Sequence, residues 1–353
     1  MKNKFFQFLI LSIILLFIVQ GEKSVLYAKE ALELCYNMII PTLFPFFICS
    51  GLLIYSGFCE SMSKIFAPLM KPLFNINPNG SAAFILGIMS GYPLGAMTVC
   101  DLYEGFYISK SEAERMLSFC NNSGPLFILG AVGIGLYSGL WVGVALYAVH
   151  IISAVLVGVI MRFYKKNDFL APKAKITVKE NSPLAGFGSV LENSVRSILN
   201  VCGAVMFFSV VSRLCLDFIS LEDKYMAIIG GIMEFASGTK NVALMDADFA
   251  TKMILSAFIV GFAGLSVHIQ VLATVSKHEL SMKPYIFGKV LHGMISAVLM
   301  WAVVKTETII DFSKQVNLSG GFALGSIYLI LTVVVIFTLG IIFLVKGKLK
   351  HNS

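Results

Sequence analysis

Long apolar runs divided by short polar ones make up this chain, and few of them show the strict alternation of a half-buried strand. Runs at about 5–20, 36–58, 118–139, 140–161, 195–218, 251–275, 287–304 and 322–345 reach or approach the roughly 20 apolar residues that carry a helix across a bilayer. Two more, at about 82–99 and 226–243, are apolar but interrupted by Gly, Pro and charge. The pattern predicts an all-α polytopic membrane protein with about eight transmembrane helices and two re-entrant hairpins.

Composition removes the alternatives. With 57% hydrophobic and 13% charged residues and a mean hydropathy of +0.84, the chain is too apolar for a soluble domain of its length. The net charge of +7 would suggest nucleic acid in a soluble protein. Here it is assigned to basic cytoplasmic loops, with no nucleic-acid partner and the lipid bilayer as surroundings. Most Lys and Arg fall on one side if both termini are cytoplasmic and both interrupted runs enter and leave the membrane on one side. Letting either run cross fully would strand the basic linker or the tail "KGKLKHNS" on the wrong side.

The first run follows Lys2 and Lys4 as a signal peptide would, but Leu26 stands where cleavage needs a small residue, so an uncleaved anchor is expected. Seven scattered Cys without a CxxC pair give neither a disulfide framework nor a zinc site, and no metal or cofactor is expected. No HExxH, GxSxG or Walker loop is present, so no catalytic residue is assigned and the chain does not read as an enzyme.

The two halves resemble each other in order. "ILGIMSGYPLG" from Ile85 aligns with "IGGIMEFASGT" from Ile229, and "ERMLS" at Glu114 with "TKMILS" at Thr251. Each half runs helix, interrupted hairpin, helix, and the charge-derived topology inverts one against the other, as in transporters with a midplane site between discontinuous helices. The expected organisation is an anchor at 1–29, a first repeat at 30–161, a basic linker at 162–191, an inverted second repeat at 192–304 and a C-terminal helix with basic tail at 305–353.

Broken backbone at membrane depth is tolerated only where protein or a water-filled cavity covers it. Ser90, Gly91, Tyr92, Pro93 and Gly95 of "SGYPLGA" are therefore candidate substrate contacts at a hairpin tip, the alternative for the glycines being close helix packing. Asn121, Asn122 and Ser123 of "FCNNSGPLF" mark either an unwound point in a span or a surface break before a span starting at Pro125. The matching candidates in the second half are Glu234, Ser237, Gly238, Thr239 and Lys240, then Ser266 and His268. Glu234 and Lys240 need each other, a ligand or water at that depth, and Lys240 is the preferred anion contact. His268 is either a cavity group able to titrate near neutral pH or one merely hydrogen-bonded near a helix end. Arg213 is expected to pair with an acid, and His150 to be structural.

Several motifs together carry a family resemblance: "PTLFPFFICSGLL" at Pro41, "APLMKPLFNI" at Ala67, "SGYPLGA" at Ser90, "EAERMLSFCNNSGPLFILGAVG" at Glu112 and "HIISAVLVG" at His150. They resemble the YlbJ family of sporulation integral membrane proteins, in the nucleoside-recognition "gate" group, closely over the first half and loosely over the second. The resemblance implies a fold like that of concentrative nucleoside transporters, with paired re-entrant hairpins and broken helices. It also implies a substrate, dipicolinic acid, moved from mother cell to forespore across the outer forespore membrane. A flat pyridine dicarboxylate would suit positive helix ends and a cation such as Lys240, with Tyr92 or a Phe to stack on. The first hairpin lacks an acidic ligand set, a departure from sodium-coupled nucleoside carriers. A nucleoside carrier and a non-transporting scaffold of spore assembly remain the competing readings.

Overall fold

The structure, a computed structural model, describes residues 2–56, 58–166, 183–219 and 221–305. The run at 322–345, the basic tail and most of the linker lie outside them. Among the described residues every regular element is helical.

Helix α1 (Lys2–Val19) is followed after Gln20 by α2 (Gly21–Leu34), which passes through a π-helical turn at Cys35–Ile39 into α3 (Ile40–Tyr55). The boundary expected at position 29 thus falls inside a continuous helix. α4 (Phe58–Leu69) leads to the first interrupted segment, where α5 (Ser81–Met89) and α6 (Leu94–Glu104) pack on each other around a tip at Ser90–Pro93. α5 rises only about 14 Å, less than half of a ~30 Å hydrocarbon core. The second interrupted segment repeats the form with α10 (Asp223–Met233) and α11 (Phe235–Leu244), joined through Glu234. Met89 and Met233, aligned with each other in the sequence, each end the first arm of their pair.

Each pair is followed by a broken helix. α7 (Lys110–Cys120) starts with a capping box in which the Ser109 hydroxyl accepts from the Glu112 amide and the Glu112 carboxylate accepts from the Ser109 amide. It stops at Asn121–Gly124, where Asn and Ser side chains compete for backbone groups and Pro125 disfavours a helical residue before it. The chain resumes as a π-helical stretch at Phe127–Leu136 and then α8 (Leu140–Met161). In the second half α12 (Phe249–Phe262) ends at Ala263 and α13 (Gly264–Val275) begins at once, because both joining residues take positive φ, 73° and 65°. α14 (Lys283–Lys305) closes the described chain, and α9 (Pro183–Leu216) links the halves.

Five helical stretches among the described residues are long and apolar enough to span: Gly21–Leu52, Leu140–Met161, Gly186–Leu216, Phe249–His278 and Lys283–Lys305. The sequence predicts about eight. One of those runs lies outside the described residues, α1 falls slightly short, and the 118–139 run is split by its break.

Lipid tails are as apolar as leucine, so close backbone approach rather than hydrophobic expulsion holds such elements together. Gly87 and Gly95 of the first hairpin meet at the Cys120 carbonyl that ends α7, where a Cβ on either would collide with backbone. Gly238 brings α11 onto α10, where an added Cβ would collide with the Gly231 backbone, and Gly231 itself faces the Ile259 side chain of α12. α14 packs on α12, α8 and α7, and α9 on α3 and α2. The second contact is pinned by Lys23 and Tyr27, both 2.8 Å from Asp217, and by the ion pair of Arg213 with Glu30. Arg213 thus finds the acid expected of it.

Candidate functional site

The two tips and the two breaks meet around one cavity. It is walled by Ser90, Gly91 and Tyr92 of the first tip, Ser123, Gly124 and Phe127 of the first break, Glu234 and Phe235 of the second tip, and Ser266 and Val267 of the second break. α3 adds Phe46 and Phe47, and α9 adds Val201 and Val205. Two of the contacts are possible only for glycine. Gly91 sits at φ 80° with its α-carbon against Gly124, where an added Cβ would lie 2.7 Å from the Gly124 nitrogen. Gly264, also at positive φ, faces the second tip, where a Cβ would lie 2.9 Å from the Phe235 nitrogen. Each tip is therefore held against a break by bare backbone.

The polar groups of this wall are incompletely satisfied. The hydroxyls of Ser90, Tyr92, Ser123 and Ser266 are buried, and apart from the contact of Tyr92 with Ser123 none has a hydrogen-bond partner among the described residues. Native buried polar atoms are nearly always paired, with protein groups or with ordered water. Around the hydroxyls stand aromatic rings: Tyr92 meets Phe235 edge-on at 5.1 Å, and Phe127 lies 4.9 Å from Phe235.

Helix ends set the electrostatics. α13 begins at Ala263, which offers no side-chain cap, so its unpaired amides carry the positive end of the helix dipole toward the second break, whereas in α6 the Leu94 amide donates to the Gly91 carbonyl at 3.2 Å and the Ala96 amide to the Asn121 side-chain oxygen at 3.4 Å. α11 differs. Glu234, fully buried, accepts from the Ala236 amide at 3.0 Å and the Ser237 amide at 2.6 Å, so its carboxylate is compensated by a helix N-terminus. Lys240, the expected partner of Glu234, lies five residues into α11, about 140° around the helix from Phe235. It is partly exposed and is not among the residues that line the cavity.

The other candidates lie at varying distances from the wall. Pro93 caps α6 behind the tip, in a cis peptide with Tyr92. Gly95 and Gly238 are packing contacts, and the Thr239 hydroxyl is returned to the Phe235 carbonyl at 2.6 Å. Ser237 faces a second crevice between α9 and the second hairpin, where its hydroxyl accepts from Ser209 at 3.0 Å. Asn122 donates to the Phe119 carbonyl at 2.8 Å, and its own side-chain oxygen is buried without a partner among the described residues. Asn121 is buried behind the wall, its side-chain oxygen 3.4 Å from the Ala96 amide. His268 bonds the Gly264 carbonyl through Nδ1 at 2.7 Å, which places its proton there and leaves Nε2 without a partner among the described residues.

The sequence reading missed a group directly behind the first break. Lys289, near the start of the 287–304 run, is fully buried in α14, where its Nζ donates to the Asn121 carbonyl at 3.1 Å and meets Nδ1 of His292 at 3.3 Å. His292 in turn donates Nε2–H to the His150 carbonyl at 2.9 Å, since a carbonyl only accepts. The His150 ring, 4.4 Å from that of His292, accepts the Ser123 amide at Nε2 at 3.1 Å, so His150 is tied to the cavity wall rather than merely structural. The signal was the i, i+3 spacing of Lys289 and His292 inside an apolar run. Among the described residues no cluster of three His, Cys, Asp or Glu is arranged to hold a metal.

Residues 37–163 match the Gate family, described as nucleoside recognition. The sporulation integral membrane protein YlbJ of Bacillus subtilis (strain 168) is 30% identical over 318 residues, covering 79% of this chain and 78% of that protein. A solved structure of CNTnw in an inward-facing substrate-bound state is similar with a TM-score of 0.46 and 11% identity, covering 75% of this chain and 74% of that one.

Proposed function

This chain belongs to the YlbJ family of sporulation integral membrane proteins, and from that premise we propose that it is a transporter moving a small organic anion, dipicolinic acid, from mother cell toward forespore across the outer forespore membrane. It is a multi-pass integral membrane protein. The observation that carries the reading is the convergence of four backbone interruptions on one cavity, where the Ser90 and Ser266 hydroxyls lack partners among the described residues. The uncapped N-terminus of α13 favours negative charge, the cavity hydroxyls offer donors to carboxylate oxygens, and the Tyr92, Phe127 and Phe235 rings suit a flat ring. The cavity volume, about 30 Å³, is a tenth or less of the ~300–1,000 Å³ of small-molecule sites. The arrangement is a closed one, and loading requires tips and breaks to part. In this reading the cytoplasmic termini face the mother cell, and the repeats at 30–161 and 192–304 are inverted.

Glu234 favours a second reading. A carboxylate in the wall, with lone pairs beyond those given to two amides, suits the hydroxyls of a neutral solute such as a nucleoside. The deciding experiment follows dipicolinate in mother cell and forespore of a sporulating host with the gene intact, deleted, or carrying Ser123→Ala. Dipicolinate made but stranded in the mother cell in the last two strains, with the variant still in the membrane, is the expected result. Spores that fill normally without the gene overturn it and bring the nucleoside carrier or a membrane scaffold forward.

A further inference from the structure

A lysine inside a membrane protein ordinarily has a carboxylate, a ligand or water to meet it. Lys289 is fully buried, and among the described residues none of the ion pairs involves it. Its partners are a backbone carbonyl, an imidazole nitrogen and, at 5.9 Å, the face of Tyr92. The carbonyl is that of Asn121, the residue where α7 stops, so the ammonium sits at the negative end of a helix dipole on an oxygen freed by the break. Unwound carbonyls and half-helix C-terminal ends are where transporters hold a coupling cation.

We propose that Lys289 is a tethered coupling cation: the transporter binds and releases a proton at its Nζ during each cycle, in the position where a free metal cation would otherwise sit. The inference rests on the transport reading. With the proton on, Nζ has three N–H bonds and a charge-assisted hold on Asn121. When the proton leaves, the electron pair of that N–H bond stays on Nζ, the neutral amine keeps two weaker donors, and the proton passes to water, with Nδ1 of His292 the adjacent acceptor. The segment released is the one that carries Ser123 and Gly124 into the cavity wall, so proton loss loosens the site itself. The titratable groups facing Lys289 are His292 and Tyr285 on its own helix, His150 on α8, His268 on α13, Tyr92 at the first tip and the Cys120 thiol at the end of α7. None is a carboxylate able to carry the charge in its place.

The test is dipicolinate uptake into proteoliposomes holding the full chain, in sodium or choline buffer, with and without an imposed pH gradient. Wild type is expected to ignore the replacement of sodium and to accumulate solute about tenfold per unit of pH gradient if one proton moves with each solute. Lys289→Arg, which keeps a charge but cannot lose its proton, and Lys289→Met are expected not to follow the gradient. Dependence of wild type on sodium, or an arginine variant that follows the gradient, overturns the inference. A second readout uses no substrate: the melting temperatures of wild type and Lys289→Arg in detergent from about pH 6 to 10. If wild-type liposomes move no dipicolinate, the transport reading fails and this readout decides the inference alone. A gap between the two proteins that changes with pH supports proton exchange at Lys289, and a constant gap overturns it. Should the arginine variant not fold, Lys289→Met takes its place in the same comparison.

Discussion

Two buried polar clusters lie along α7, one at its middle and one at its end, and they are built on different principles. At the middle, Glu114 is 1% exposed yet accepts from Lys165 Nζ at 2.8 Å, the Tyr164 hydroxyl at 3.1 Å and the Ser281 amide at 3.2 Å. Arg115 beside it donates to the carbonyls of Tyr164, Lys165 and Asn75, tying the C-terminal end of α8 to α7. At the C-terminal end of α7, hydroxyls from three backbone interruptions share a cavity with few partners among the described residues, and a lysine sits on a carbonyl without a carboxylate. The first cluster spends its polar groups on the fold. The second leaves most of them unspent, at a cost in stability.

The contrast breaks most visibly at the structural cluster. Arg115→Met strands three backbone carbonyls and is expected to cost about 3–5 kcal/mol, seen as a collapse in folded yield by fluorescence-detected gel filtration. Uptake per folded molecule should be unchanged. Next come the backbone contacts between tips and breaks. Gly91→Ala and Gly264→Ala each force an L residue into positive φ at about 1–2 kcal/mol, before the collision with the facing backbone. Thermal unfolding should register that loss, and uptake per folded molecule should fall further than stability does.

The cavity hydroxyls sharpen the comparison from the opposite side. Ser90→Ala, Ser123→Ala or Ser266→Ala removes a buried hydroxyl with few partners among the described residues, so the melting temperature should hold or rise, while uptake drops about tenfold for each lost hydrogen bond to solute. A serine variant that destabilised the protein would place its hydroxyl in the structural class instead. The smallest effect belongs to Lys240→Met, which lies off the cavity. Transport and stability should stay close to wild type, and a large loss of uptake would return Lys240 to the role the sequence suggested for it.

How much of this was legible beforehand depends on what each feature needs. Two interruptions announce themselves locally: "SGYPLG" and "NNSGP" contain residues that cannot continue a membrane helix, so the first tip and the first break could be placed from local sequence alone. The second break was visible only as "GFAGLS", because it turns on a positive φ at Ala263, an alanine that no local rule selects. Partners were less legible than positions. Glu234 and Lys240 invite pairing by charge, yet Glu234 is satisfied by amides at the start of its own helix, and spacing turns Lys240 away. Lys289 was hidden by its place near the polar start of an apolar run, where a loop cation and a buried one look alike until the neighbouring helices are packed.

The central claim is that the meeting point of tips and breaks is a solute site and not a packing defect. The most direct measurement is dipicolinate uptake into proteoliposomes by wild type and by the combined variant Ser90→Ala, Ser123→Ala, Ser266→Ala, each with its melting temperature. The account predicts uptake by wild type and none by a variant that is folded and at least as stable. A stable variant that transports like wild type would contradict it, since the cavity hydroxyls would then have no solute to serve.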